Sequence, residues 1–218
     1  MDPKVREKRC SLIARMISWF DAYSVLSTTD PEIVEKALKD YAGSDLDAIW
    51  KEVKDDVYMI ANFPSKSPDV ERYSRILRRT RLGLFLGSLA AIFFMLLITL
   101  GRISFPFDPV YGLFIPFAVL YGVFGINTYL GRVLNRKVVQ FYETHQEELA
   151  PRQKRIRKAV QKLIDKLYID VKSLSLDSSK FNFQVFNTDY KNIRVVKGRG
   201  GRFYAVVEGT EVKKTKKS

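Results

Sequence analysis

The chain has 218 residues, a formal net charge of +13 and a single cysteine. One cysteine excludes an internal disulfide and is typical of a reducing compartment. The charge is unevenly spread, because residues 1–63 hold 9 Lys and Arg against 12 Asp and Glu, whereas the basic excess begins at residue 64.

Residues 1–63 predict a small cytoplasmic region of three amphipathic helices. Apolar residues recur at helical spacing over 12–20, 33–41 and 46–61. Ser44 is a typical N-cap for the third helix. Three short amphipathic helices must bury their apolar faces, so we expect a bundle. The first helix has an alternative role as an interfacial anchor, because Trp19 follows a run of cations.

The second and third helices carry an acidic face. Its residues are Glu32, Glu35, Asp40, Asp45, Asp47, Glu52, Asp55 and Asp56. Their spacing lacks the glycine and the closing glutamate of a calcium loop, so the sequence predicts no metal site there. We expect a solvated face. Docking onto the basic carboxyl-terminal half of the chain is the alternative.

Two uncharged apolar runs, 82–100 and 110–130, follow a basic juxtamembrane helix over 64–81. Each is close to the roughly 20 residues that cross a hydrocarbon core as a helix. Only a short link, 101–109, separates them. The sequence therefore predicts an α-helical integral membrane protein with a two-helix transmembrane hairpin over 82–131.

Cations flank both predicted spans and indicate their orientation. They are Arg72, Arg75, Arg78, Arg79 and Arg81 before the first span, and Arg132, Arg136 and Lys137 after the second. Positive flanks stay in the cytoplasm, so both termini are expected there, with these side chains against anionic lipid. A specific ligand site is the alternative reading. Arg15 and Asp21 interrupt the first apolar stretch, which argues against a cleaved signal peptide.

Small residues are spaced along both predicted spans. They are Gly83, Gly87, Ala118, Gly122 and Gly125. Small residues at such spacing let helices approach closely in lipid. Packing of the two spans against each other explains them, and self-association of the protein is the competing explanation.

The segment 132–172 predicts a basic amphipathic helix that Pro151 interrupts or restarts. Apolar residues at 156, 160, 163, 167 and 171 form a coiled-coil-like seam, which would pair with the amino-terminal helices or with a second copy. Cations cover the other faces and are candidates to contact phosphate or an acidic partner. They are Arg152, Lys154, Arg155, Arg157, Lys158 and Lys162.

Beyond residue 173 the apolar period changes to two. Alternation over 181–185, followed by the segments 193–197 and 203–208 with turns between, predicts a small antiparallel β-meander over 173–210 and so an α+β fold class for the part outside the membrane. Arg199 and Arg202 flank the Gly-Gly turn and extend the candidate phosphate surface. The lysine-rich tail, 211–218, is expected to be disordered.

The sequence contains no phosphate loop, zinc spacing, nucleophile elbow or dinucleotide fingerprint. His145 is the only histidine, and Cys10 has basic neighbours that would lower its pKa. We therefore expect a non-enzymatic membrane-anchored adaptor or scaffold, without metal, cofactor or small-molecule substrate. Its cytoplasmic module would recruit a protein, nucleic-acid or anionic-lipid partner. The alternative is a subunit of a homo-oligomeric pore or channel.

Overall fold

A computed structural model describes residues 3–27, 30–41, 44–102 and 109–208. The chain forms two compact units. The discontinuous unit comprises Met1–Phe63 and His145–Ser218, and the central unit comprises Pro64–Thr144. The lysine-rich tail and most of the link between the predicted spans lie outside the described residues.

The described fold is mostly helical, with one small antiparallel sheet. In chain order its elements are α1 (Pro3–Ser24), α2 (Glu32–Leu38), α3 (Asp45–Asn62), α4 (Pro68–Thr99), α5 (Pro109–Thr144), α6 (Gln146–Ser173), β1 (Phe183–Val185), β2 (Ile193–Arg199) and β3 (Arg202–Val207). Ser44 begins α3 as the sequence predicts, because its hydroxyl accepts a hydrogen bond from the Asp47 N–H at 3.4 Å.

The core of the discontinuous unit lies where α1 and α3 pack against α6. The apolar seam of α6 is buried along its whole length, from Ile156 to Val171. On α1, Ile13, Met16 and Phe20 have no exposed surface. The seam thus pairs with helices of the same chain, as part of a bundle rather than a coiled coil. The apolar stripe of α1 is core and not an interfacial anchor.

The helix break predicted at Pro151 is wrong. The chain leaves the helical conformation at His145 (φ −111°, ψ 22°), and α6 then continues through Pro151. Proline removes one backbone donor from the helix, a cost that the burial of Leu149 and Ile156 on either side offsets. Residues 132–144 therefore extend α5 and do not belong to the seam helix.

The sheet has the order β1-β3-β2, so the predicted meander is wrong. The hairpin of β2 and β3 forms around Gly200 and Gly201, whose φ angles of +59° and +76° suit glycine. β1 pairs with β3 instead of with β2. The most apolar strand, β3, thereby lies in the centre, and the charged strand β2 lies at an edge, where charge opposes edge-to-edge aggregation.

The carboxylate of Asp21, on α1, ties the helical core to the segment that follows β1. Asp21 has no exposed surface. It accepts hydrogen bonds from the backbone N–H of Phe186, from the Asn187 side-chain amide at 2.8 Å and from the Tyr190 hydroxyl at 2.6 Å. Burial, with the negative charge of Asp21 next in importance, raises the pKa of Tyr190 and keeps it a hydrogen-bond donor.

In the central unit, α4 and α5 pack against each other. Asp69 near the start of α4 lies 3.4 Å from Lys137 near the end of α5, so the two helices run antiparallel. Within the described residues, one helix, Pro68–Ile98, is long and apolar enough to cross a membrane, and an 18-residue stretch of it has a mean hydropathy of 2.2. The second predicted span falls in α5, where the side chains of residues 109–117, 119 and 120 lie outside the described set.

We predict that Asp21→Asn destabilises the discontinuous unit by about 2–4 kcal/mol, because an amide cannot accept from all the donors that surround this carboxylate. Tyr190→Phe removes one donor and should cost about 1 kcal/mol. Urea unfolding of the full chain in detergent, followed by tryptophan fluorescence, measures both, since the only two tryptophans, Trp19 and Trp50, lie in this unit. An Asp21→Asn variant as stable as Tyr190→Phe would contradict the assignment.

Candidate functional site

Three acidic residues of α3 face cations of α6 along a line of ion pairs. Asp45 lies 2.6 Å from Lys166, and Glu52 lies 2.7 Å from Lys162. Asp56 contacts α6 further toward its start. Carboxylates later in α3 meet cations earlier in α6, so the two helices run antiparallel. The acidic face is therefore partly docked onto the basic half of the chain instead of being wholly solvated.

Asp56 is the most buried member of this line, with 5% of its surface exposed. Arg155 donates two hydrogen bonds to it, each at 2.6 Å, and Arg152 donates a third at 2.7 Å. The hydrogen bonds from Arg155 are the main reason that the pKa of Asp56 is lowered; burial opposes them, and Arg152 adds to the lowering. Both arginines that the sequence offers for phosphate contact here are engaged by the protein's own carboxylate.

A second cluster joins three helices around Asp45. Arg9 of α1 lies 2.9 Å from Asp45 and 3.3 Å from Asp170 of α6. Burial raises the pKa of Asp45, but the hydrogen bond from Lys166 and the charge of Arg9 outweigh it, and the net shift is downward. This cluster holds α1, α3 and α6 together at the end of the bundle away from Asp56.

Arg157, on α6, is also engaged within the chain. It donates hydrogen bonds at 2.6 Å to both carboxylate oxygens of Asp189, and its guanidinium lies 5.8 Å from the centre of the Tyr190 ring. Of the six cations that the sequence proposes on α6, four thus have carboxylate partners in the chain: Arg152, Arg155, Arg157 and Lys162. Lys154 and Lys158 are exposed.

The β2–β3 hairpin carries the other exposed basic surface, which we call the hairpin surface. Its residues are Arg194, Val196, Lys197, Arg199, Arg202 and Tyr204. The four cations are all exposed, and no carboxylate lies between residues 190 and 207. Beside them runs an open groove of about 490 Å³, lined in part by Val196 and Tyr204.

The apolar and aromatic side chains of the hairpin surface differ in their exposure and in their contacts with the rest of the chain. Val196 has 63% of its surface exposed. The Tyr204 hydroxyl accepts a hydrogen bond from the Gln184 amide at 2.6 Å. The guanidinium of Arg202 lies over the ring of Phe186, 5.4 Å from its centre. The surface therefore offers cations and an exposed valine more readily than aromatic faces.

The juxtamembrane cations fall on two helices of the central unit. Arg72, Arg75, Arg78, Arg79 and Arg81 are exposed on α4, and Arg132 and Arg136 are exposed on α5. Arg75 lies 3.3 Å from Glu71, and half-buried Lys137 pairs with Asp69. Of the eight juxtamembrane cations, all except Lys137 are therefore exposed. Arg75 and Lys137 each have an acidic neighbour in the central unit.

Among the described residues, the glycines of the predicted spans have no close neighbours at their Cβ positions. Gly83, Gly87, Gly122 and Gly125 are exposed, and a Cβ added at any of them would meet nothing within 4 Å. Ala118 is exposed as well.

Neither His145 nor Cys10 is placed for nucleophilic chemistry. The His145 ring packs edge-on against Phe63, with ring centres 5.5 Å apart. Cys10 is buried, and burial, with the charge of Asp170 next, raises its pKa to about 11. The charge of Arg9 does lower the pKa of Cys10, but burial and the charge of Asp170 outweigh it, so the expected net lowering is wrong. Among the described residues, no group of three or more His, Cys, Asp or Glu is placed to hold a metal ion.

Sequence reasoning missed the roles of Asp21 and Asp189, and of the hairpin cations it singled out only Arg199 and Arg202. In the sequence, Asp21 stands out only as an interruption of an apolar stripe, which is the signal of a buried carboxylate. Arg194 and Lys197 flank two valines within β2, and these cations could have marked the strand as a basic edge.

No protein-family model, curated protein or solved structure matches the chain.

We predict that Asp56→Asn lowers the free energy of unfolding by about 1–3 kcal/mol at neutral pH, a range that allows for solvent screening of the half-exposed arginines. The folded pKa of Asp56 lies below its unfolded value, so the stabilisation is present above about pH 4 and is lost as the pH falls through the folded pKa. The difference between variant and wild type should therefore vanish in acid.

Asp55→Asn is the matched control, because it removes the same charge from the exposed neighbouring position. It should change stability by less than about 0.5 kcal/mol. Urea unfolding at several pH values measures both variants. Equal effects of the two substitutions, or a deficit in Asp56→Asn that persists in acid, would show that the arginine contacts do not stabilise the fold.

Proposed function

We propose that the protein is a membrane-anchored adaptor. In this proposal α4 and α5 cross the bilayer as a two-span hairpin, both termini are cytoplasmic, and the discontinuous unit recruits a partner through its basic surface without catalysing a reaction.

The observation that carries the proposal is the packing of α1 and α3 against α6. These helices come from the two sides of the central unit in sequence, yet they share one core. A shared core must lie on one side of a membrane. The chain between them therefore crosses the bilayer an even number of times, and the apolar helix α4 needs a returning span, for which α5 is the only long helix in the described part of the central unit.

The orientation follows from the cations that flank the two spans. Seven exposed arginines lie on the segments of α4 and α5 outside the apolar runs, at the ends that join the discontinuous unit. Such residues favour the cytoplasmic side and attract anionic lipid, each contributing about 1 kcal/mol near the surface. This supports a cytoplasmic discontinuous unit.

The recruiting surface is the hairpin surface. Most cations of α6 are engaged by carboxylates of the chain and serve its internal packing: Arg152, Arg155, Arg157, Lys162 and Lys166. An exposed basic surface without nearby carboxylates is suited to an anionic partner. We therefore locate partner recruitment on the β2–β3 hairpin and not along α6.

A second candidate function is a subunit of a homo-oligomeric pore. One observation favours it: Gly83, Gly87, Gly122 and Gly125 are exposed with open space at their Cβ positions among the described residues, so they are available for close packing against another copy of the chain.

The mass and composition of the native complex, extracted in mild detergent with and without nuclease, tests the two functions. An adaptor should co-purify with a second component, either protein or nuclease-sensitive nucleic acid, or run as a monomer that captures anionic lipid. A discrete assembly made of this chain alone would contradict the adaptor and favour the pore.

Gly87→Leu sharpens the comparison, because the leucine has space in the monomer and would block only close packing between copies. A pore subunit should lose its assembly and its conductance, whereas an adaptor should be unchanged. Leu89→Ala, two positions further along α4 and so on the opposite face, is the control. Loss of partner binding in Gly87→Leu would contradict the adaptor.

A further inference from the structure

Three cations of the hairpin surface form a positive patch that has no carboxylate partner among the described residues. Lys197 and Arg199 lie on β2 and Arg202 begins β3, and the tight Gly-Gly turn joins the two strands. Lys197 and Arg199 are exposed, and the nearest acidic residues in sequence are Asp189 and Glu208. Asp189 is already bound by Arg157. The patch is therefore complementary in charge to a dense anionic surface.

An exposed valine lies within this patch. Val196 stands at the irregularity in the pairing of β2 with β3, between Val195 and Lys197, and has 63% of its surface exposed. An apolar side chain surrounded by cations suits the boundary between lipid headgroups and acyl chains, where the cations meet phosphates and the valine enters the apolar layer.

Single-stranded nucleic acid would present the same charge but would need aromatic faces on which bases stack. Tyr204 is 39% exposed and its hydroxyl is held by Gln184. The ring of Phe186 is covered by Arg202. The Tyr204 hydroxyl and one face of the Phe186 ring are thus engaged within the chain, and the most exposed apolar side chain of the patch is Val196, which offers no stacking face.

We infer that the hairpin surface is a second membrane-attachment site, which binds the surface of an anionic phospholipid bilayer. The inference rests on the proposed function, in which α4 and α5 already anchor the chain. The partner that the discontinuous unit recruits is then a negatively charged bilayer, bound through Lys197, Arg199 and Val196.

The test uses the full chain in nanodiscs of uncharged phosphatidylcholine, so that the anchor is occupied and only the remaining surface can bind. These nanodiscs are mixed with vesicles of phosphatidylcholine alone, or of phosphatidylcholine with about 30% phosphatidylserine, at about 0.1 M salt. Co-flotation measures binding. We expect binding to the phosphatidylserine vesicles only, and weaker binding as salt is raised.

The double variant Lys197→Ala/Arg199→Ala should weaken this binding about 30-fold, at roughly a fivefold loss per cation. Val196→Ser should weaken it about fivefold, since less apolar surface enters the lipid. The matched control is Lys154→Ala/Lys158→Ala, which removes the same charge from exposed positions on α6 and should change binding by less than about threefold. Unfolding curves followed by tryptophan fluorescence verify that each variant is folded.

Equal losses in the two double variants would overturn the inference, because they would indicate general attraction by net charge. Failure of the wild type to bind phosphatidylserine vesicles would also overturn it. So would tighter binding of a fluorescent oligouridine that depends on Lys197 and Arg199, which would assign the surface to nucleic acid. These outcomes reject only the lipid site. The adaptor function would still be supported if a partner co-purifies with the native protein, and it would be rejected if the native complex contains this chain alone.

Discussion

The packing of α6 against α1 and α3 is the constraint on which the rest of the structure depends. It joins segments that are separated in sequence by the whole central unit, and it buries an apolar seam from Ile156 to Val171. The charged residues beside the seam fix the register, since Asp45, Glu52 and Asp56 each meet a cation of α6. Because apolar burial supplies most of the stabilisation and the ion pairs select one alignment, both are needed for a single core.

The same packing divides the positive charge of the chain into two classes. Cations on the side of α6 that faces α3 are neutralised by carboxylates, so they contribute to the fold and little to the outer field of the protein. Lys197, Arg199 and Arg202, on β2 and at the turn, have no carboxylate in the segment 191–207 beside them in sequence. A net charge of +13 is therefore a poor guide to where a partner binds, and the location of compensating carboxylates is a better one.

Much of the local structure could be predicted from the sequence, and most of the long-range structure could not. The helical period over 46–61 and the cap at Ser44 predict α3, and the β-branched residues of 193–197, placed between two turns, predict β2. The pairing of β1 with β3 depends on which strand is the most apolar, and the contact of Arg155 with Asp56 joins residues 99 positions apart. The spacing of residues within one segment predicts neither the strand pairing nor this ion pair. Asp21 illustrates the same limit, because a carboxylate within an apolar stripe does not indicate which donors will surround it.

Both ends of the chain belong to one compact unit, and we propose that this unit lies on one side of a membrane. The most direct measurement is the accessibility of an epitope tag at each terminus of the full chain, in sealed membrane vesicles of known orientation, to a protease that cannot cross the bilayer. If both termini are cytoplasmic, both tags are cleaved in cytoplasmic-side-out vesicles and both are protected in vesicles of the opposite orientation. Cleavage of one tag and protection of the other in the same vesicles would contradict this proposal.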